Sequence, residues 1–273
     1  MGDLREYLAG KATGDLLPWE SQAAAAQMFG LTVPEVEEAA LNTGLLPARY
    51  QRNRRTFSIE DQLRFFRATV AVIGCGGLGG YIIEELARLG IGRIKAVDPD
   101  VFEEHNLNRQ LLATMQTLGK PKAEAAAARV AEINPAVSVV ALRERFSKEN
   151  GVQLFEDVQI AVDALDSIRT RLELADICRQ LSIPLVHGSI AGWYGQVVSQ
   201  FPGETTLQTI YGRCVDGAGV EKELGNPSYT PAVVASLQVA EVCKILLGKG
   251  SPVRGAMLVV NLLDMEVSKF KIG

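Results

Sequence analysis

The chain has 273 residues, 47% hydrophobic and 22% charged, which is enough to bury a sizeable core. Its net charge of −4 argues against a nucleic-acid partner, and its four dispersed cysteines argue against a disulfide scaffold or a four-cysteine zinc site. The longest apolar runs are broken by Gly, Glu or Lys, so no membrane span is expected, and the opening MGDLREYLAGKATGD lacks a signal-peptide core, so the expected location is the cytoplasm.

Residues 1–48 read as a helical arm or small domain, and 49–273 as the main domain. The arm is rich in Ala, Leu and acid, with helical spacing through ESQAAAAQMFGLTVPEVEEAALNTGLLP. Asp15 or Ser21 is the expected cap at a helix start, and Pro34 followed by EVEEAA opens another helix. Two helices joined at FGLTVPEVE resemble a helix-turn-helix. Against Arg5 and Lys11, however, stand Asp3, Glu6, Asp15, Glu20, Glu35, Glu37 and Glu38, giving 2 − 7 = −5. Phosphates would be repelled, so packing or docking is the expected role.

From Arg49 onward, the strand-like runs TVAVIG, RIKAVD, VSVVAL, QIAVDAL and IPLVHG alternate with helical stretches. Those helices include YIIEELARLG, PKAEAAAARVAEIN and IRTRLELADICRQL. Continuous apolar strands between helices predict a Rossmann-like α/β fold, its mixed, mostly parallel sheet covered on both faces. A nucleotide site is expected at the carboxyl ends of the first strands. GQVVSQF and TLQTIYG read as antiparallel additions, followed by a long helix in TPAVVASLQVAEVCKILLG and a strand pair from Met257.

The stretch VAVIGCGGLGG places Gly74, Gly76, Gly77, Gly79 and Gly80 at a strand-to-helix turn. Glycines there admit a close backbone approach, and the helix offers open N–H groups to phosphate. Asp98, ending the second strand, is placed to hold ribose hydroxyls. NAD needs little more than this, and an NAD-dependent oxidoreductase is one reading. The segment DPDVFEEHNLNRQ adds Asn106, Arg109 and Gln110, and GKPK adds Lys122 at a helix start. Such cations suit a triphosphate whose charge shifts during attack at phosphorus. Asp166, in a loop beyond a parallel strand, suits Mg²⁺ bound to phosphates, whereas Asp163 reads as structural. His105 is placed beside that pocket, and His187 ends a strand with no carboxylate arranged to match it. Cys75, Cys178 and Cys243 read as core residues.

Together RYQRN, VIGCGGLGG, VDPD, NLNRQ, GKPKAE, INP and DALDS resemble the ThiF/MoeB/HesA family, bacterial relatives of the ubiquitin-activating enzymes, over roughly residues 49–270. The resemblance implies ATP-dependent adenylation of the carboxyl-terminal glycine of a ubiquitin-like sulfur carrier ending in Gly-Gly, as in thiamin or molybdopterin pathways. It implies that Gly77 meets the nucleotide, Asp98 the ribose, Asn106, Arg109 and Lys122 the phosphates, and Asp166 the Mg²⁺. It also implies a homodimer in which Arg52 of RYQRN enters the partner's site. Trp193 and Tyr194 fall where the family's sheet meets its protein substrate. A related branch, the tRNA threonylcarbamoyladenosine dehydratases, has a stretch like DSIR and is the alternative within the family. Many relatives carry paired C-x-x-C motifs for zinc. This chain has none, so no structural zinc is expected; Cys214, in a polar loop, reads as an incidental thiol, with a substitute nucleophile as the alternative.

Overall fold

In the computed structural model, which describes residues 2–212 and 221–272, the chain opens with three short helices. These are α1 (Gly2–Lys11), α2 (Trp19–Phe29) and α3 (Val33–Asn42). Strands β1 (Leu16–Leu17) and β2 (Leu46–Pro47) pair in parallel beside them. Leu4, Leu8, Leu17, Ala25, Val36 and Ala40 form a core of their own here. Neither expected cap starts α2, which begins after Pro18 without a side-chain hydrogen bond. Asp15 instead accepts from Arg54 at 2.6 Å, and Ser21 lies inside the first turn of α2. Helix α3 has a capping box: Thr32 takes the Glu35 N–H, and the Glu35 carboxylate takes the Thr32 N–H at 2.7 Å.

A short 3₁₀ turn, Ala48–Tyr50, leads through α4 (Ile59–Phe66) into the main sheet. Its parallel part is β3 (Thr69–Ile73), β4 (Arg93–Val97), β5 (Ser138–Leu142), β6 (Ile160–Asp163) and β7 (Leu185–Ala191). Three strands then add antiparallel: β8 (Tyr194–Gln200), β9 (Ala256–Asn261) and β10 (Glu266–Lys271). The spatial order is β10-β9-β8-β7-β6-β3-β4-β5. The connecting helices are α5 (Gly77–Leu89), α6 (Lys122–Ile133), α7 (Lys148–Leu154) and α8 (Ile168–Gln180). Later come α9 (Thr206–Tyr211), α10 (Glu221–Leu224) and α11 (Tyr229–Leu247).

Strand β3 is buried throughout, and its residues alternate between two cores. Val70 and Val72 join Ile82, Leu86, Val130 and Val242 on the α5/α6/α11 side. Ala71 and Ile73 join Leu154, Leu174 and Leu207 on the α7/α8/α9 side. Two covered faces explain why the parallel strands are apolar without alternation. Truncating the fully buried Ile82 to Ala would cost about 2–5 kcal/mol.

One element differs from its expected form. TLQTIYG is the helix α9, not an antiparallel strand. Its Thr, Ile and Tyr favour strands, but Leu207 and Tyr211 stand one helical turn apart and are both buried. Gln200 also accepts the Leu207 N–H at 3.0 Å. Burial of that pair outweighs local propensity. Helix α11 is long and apolar enough to cross a membrane by length and composition. It packs on α5 and β7. Its buried Gln238 donates to the Asp163 carbonyl at 2.9 Å, and its buried Glu241 accepts from Ser199 Oγ at 2.7 Å.

The chain crosses from β5, at one edge, back to β6 beside β3. That reversal opens a crevice at the carboxyl ends of β3, β4 and β6.

Candidate active site

The floor of the crevice is the glycine turn. Gly74 has φ +98°, and a Cβ on it would lie 2.6 Å from the Ala164 carbonyl oxygen. A Cβ on Gly79 would lie 1.8 Å from the Gly74 carbonyl oxygen. Glycine is therefore required at both positions for β3 to pass into α5 so tightly. Gly76 is the N-cap of α5 and brings no side chain, so the first N–H groups of the helix stay open to an anion.

Asp98 follows β4 and is buried beside this turn. Its Oδ2 accepts the Cys75 N–H at 2.7 Å and its Oδ1 the Asp100 N–H at 2.8 Å. Burial raises its carboxyl pKa from the ordinary value, while those two bonds oppose the shift. Asp98 thus fixes the glycine turn against β4 and still lines the cleft.

The cleft has a volume of about 190 Å³. Arg109, Gln110, Lys122 and Asp166 all line it, facing Gly74, Gly76 and Gly77. Lys122 is the first residue of α6 and is buried, with Nζ 3.3 Å from Asp100 Oδ2. Arg109 is steadied by the His105 carbonyl at 3.2 Å and Asn108 Oδ1 at 2.9 Å. Gln110 is buried, and its Oε1 has no hydrogen-bond partner. Asp166 is exposed on the loop between β6 and α8. Among the described residues no three His, Cys, Asp or Glu side chains gather as a metal cage. The carboxylate of Asp166, beside a phosphate cradle also lined by Asp98, Asp100 and Glu144, suits Mg²⁺ held mainly by phosphate and water.

Other expected residues lie elsewhere. Asn106 is buried, but its Oδ1 accepts the Glu103 N–H at 2.9 Å and it does not line the cleft. His105 is exposed beside Glu103 and also lies outside the lining. Arg52 is exposed in the turn after the 3₁₀ segment, away from the cleft of its own chain. Cys214 lies outside the described residues. Burial raises the thiol pKa of Cys75 and Cys178, and pushes that of Cys243 up to about 12. Trp193, on the β7–β8 turn, and Tyr194, the first residue of β8, are exposed, with the Trp193 ring 4.7 Å from that of Tyr229.

Sequence reasoning missed a buried polar group beneath the Asp166 loop. His187 does have a carboxylate partner: its Nδ1 lies 2.6 Å from Asp163 Oδ2, and its Nε2 lies 3.0 Å from the Tyr211 hydroxyl. Buried Arg171 lines the cleft and donates from Nε to the Leu165 carbonyl at 3.1 Å. Asp163 Oδ1 takes the Leu165 N–H at 2.9 Å. Both peptide groups of Leu165, the residue before Asp166, are thereby pinned. Asp163 ends β6, but His187 does not end its strand as expected: it is the third residue of β7, which runs on to Ala191. The available signal was a polar residue in each of two apolar strand stretches.

The chain is 36% identical over 208 residues to the SAMP-activating enzyme E1 of Haloferax volcanii, covering 76% of this chain and 77% of that one. It is 37% identical over 224 residues to the sulfur carrier protein adenylyltransferase of Thermus thermophilus, covering 78% and 82%. Its fold matches the crystal structure of E. coli MccB with MccA-N7isoASN at a TM-score of 0.71 and 21% identity, covering 82% of this chain and 71% of that one. The ThiF family profile matches residues 50–273, and the chain belongs to the ThiF family.

Proposed function

We propose that this protein uses ATP to adenylate the carboxyl terminus of a ubiquitin-like sulfur carrier. The observation that carries the reading is the cleft itself, where Arg109, Lys122 and Asp166 face one glycine cradle. The names of the two relatives, an E1 for SAMP and an adenylyltransferase for a sulfur carrier, support carrier activation over the tRNA dehydratase alternative.

A terminal carboxylate is ionised near neutral pH and needs no general base. One of its oxygens attacks the α-phosphorus in line. The new O–P bond forms as the bond to pyrophosphate breaks, leaving acyl-adenylate and pyrophosphate. The open N–H groups of α5 receive phosphate, Asp98 orients the ribose, and Arg109 and Lys122 offset the charge that moves onto pyrophosphate. Asp166 would hold Mg²⁺, which supplies further charge neutralisation when bound. Catalysis then rests on positioning and charge stabilisation.

Arg52 acts on the site of a partner subunit in a homodimer. Its exposure and its absence from the lining of its own chain's cleft support action in trans. The test is ATP–pyrophosphate exchange against a panel of purified carriers ending in Gly-Gly. Exchange that depends on one carrier is expected. No exchange with any carrier, together with NAD reduction by a small alcohol, would overturn the reading.

A further inference from the structure

The arm's acidic surplus has a use in the fold. The segment ARYQRNRR carries Arg52 between Arg49 and Arg54, and both flanking arginines are tied to carboxylates of the arm. Arg49 pairs with Glu37, and Arg54 pairs with Asp15 at 2.6 Å. Arg67 adds a third link, to Glu38 at 2.9 Å.

Beneath these ion pairs lies a buried chain of hydrogen bonds. The Tyr50 hydroxyl donates to Glu37 Oε1 at 2.8 Å and accepts from Asn134 Nδ2 at 2.7 Å. Asn134 Nδ2 also donates to the Ala87 carbonyl at 2.9 Å. Gln62 Nε2 donates to the neighbouring Leu89 carbonyl at 2.8 Å. Glu37 and Tyr50 are fully buried, and Asn134 is 1% exposed. The bond to Leu89 satisfies a carbonyl that the end of α5 leaves open, and the bond to Ala87 is a second one to a carbonyl that already accepts the Gly90 N–H at 3.1 Å. Asn134 is itself the C-cap of α6. The two helices that open at the cleft, one with Gly77 and one with Lys122, therefore finish at a single knot. Tyr50 joins that knot to the arm, and its carbonyl accepts the Asn53 N–H at 2.8 Å to form the turn bearing Arg52.

We propose that the amino-terminal arm is a brace that aims Arg52, with Tyr50 and Glu37 as positioning residues. This rests on the reading that Arg52 serves the partner's site. Arginine side chains lose much rotamer freedom on being ordered, so anchoring the turn on both sides of Arg52 lowers the cost of presenting it. The knot also references that turn to the cradle helices of its own subunit. The distance between two sites of a dimer is then set through packed polar contacts rather than a flexible tail.

The test reads one active site at a time. One subunit carries Asp166→Ala and the other Arg52→Ala, and the subunits are allowed to exchange. Random pairing makes about half the dimers mixed, each with one whole site, so about a quarter of wild-type exchange activity returns. Tyr50→Phe is then added either to the Asp166→Ala subunit, which donates Arg52, or to the Arg52→Ala subunit, which holds the working cradle. Added to the donor, it should lower the recovered kcat about tenfold or more with the KM for ATP unchanged. Added to the recipient, it should have a much smaller effect. Glu37→Gln, which alters the other end of the same hydrogen bond, should follow the same pattern if Tyr50→Phe folds poorly. Equal loss in both placements, or no loss in the donor, would overturn the brace. No recovery by the parent pair, despite demonstrated subunit exchange, would overturn the action of Arg52 in trans and the brace with it. Loss of carrier-dependent exchange in the wild type would instead count against the adenylation reading itself.

Discussion

Asp163 and His187 are register partners on adjacent parallel strands, and their side chains meet at 2.6 Å with both groups fully buried. A carboxylate only accepts, so His187 Nδ1 carries the proton and Nε2 accepts from the Tyr211 hydroxyl. The ring is thus held neutral between an acid and a phenol. Burial lowers its pKa below the ordinary 6.5, and Asp163 only partly counters this.

The sign of the pH effect follows from that depression. As pH falls below 6.5, the unfolded chain protonates its histidine before the folded chain does. Stability is therefore lost on the acid side, with a slope of up to about 1.4 kcal/mol per pH unit for the one proton. Thermal melts between pH 7 and pH 5 should show a shallower loss in His187→Asn than in the wild type, although the variant starts lower. Equal slopes would assign the acid sensitivity to other groups.

The pair also marks the limit of what the sequence made legible. Gly74, Gly76, Gly77, Asp98, Arg109 and Lys122 follow strand-to-helix signals closely, and the cleft brings them together. Asp163 with His187 was not legible, because their approach depends on β6 and β7 being neighbours in a fixed register. Helix α9 was missed for a related reason, since what decides it is burial of Leu207 and Tyr211 against the sheet. The arm's acids were visible as charge, but their partners Arg49, Arg54 and Arg67 appear only after folding.

Asp166→Ala separates binding from chemistry. The carboxylate is exposed on the cleft wall and supports no buried contact, so the fold should be unaffected. ATP should still bind in equilibrium dialysis, while carrier-dependent exchange should fall about 10²–10³-fold. Undiminished exchange would mean that the reacting phosphate lies elsewhere.

Gly79→Ala and Gly80→Ala make a sharper comparison, because the two glycines are adjacent. A Cβ at Gly79 would meet the Gly74 carbonyl at 1.8 Å, whereas one at Gly80 meets Leu112 Cγ at 3.4 Å, an ordinary contact. Gly79→Ala must deform the cradle, at a cost of about 1–3 kcal/mol in denaturant melts and with loss of ATP binding. Gly80→Ala gains the helix preference of alanine, up to about 1 kcal/mol, and should be neutral or stabilising. Similar melts for the two variants would show that the turn is not under this steric control.

Cys214→Ala should retain adenylation, since the attack on phosphorus uses the carrier's own carboxylate. Retention of any later sulfur transfer as well would make the thiol incidental. A carrier adduct that is cleaved by thiols in the wild type and vanishes in Cys214→Ala would identify it as a nucleophile.

Gln110 supplies the most direct check on the cleft. Its Oε1 is buried without a partner, and an orphaned acceptor costs about 1–3 kcal/mol relative to a satisfied one. Replacing such a group with an apolar side chain of similar size removes a penalty rather than a bond. Gln110→Leu should therefore melt at the same temperature as the wild type or higher. If the oxygen is kept for a bound nucleotide, ATP affinity must move the other way and fall about tenfold, roughly the 1.4 kcal/mol of one net hydrogen bond. The two measurements have opposite expected signs. A variant that loses stability and binding together would show that Gln110 supports the turn carrying Arg109. One that gains stability with ATP affinity unchanged would remove Gln110 from the site.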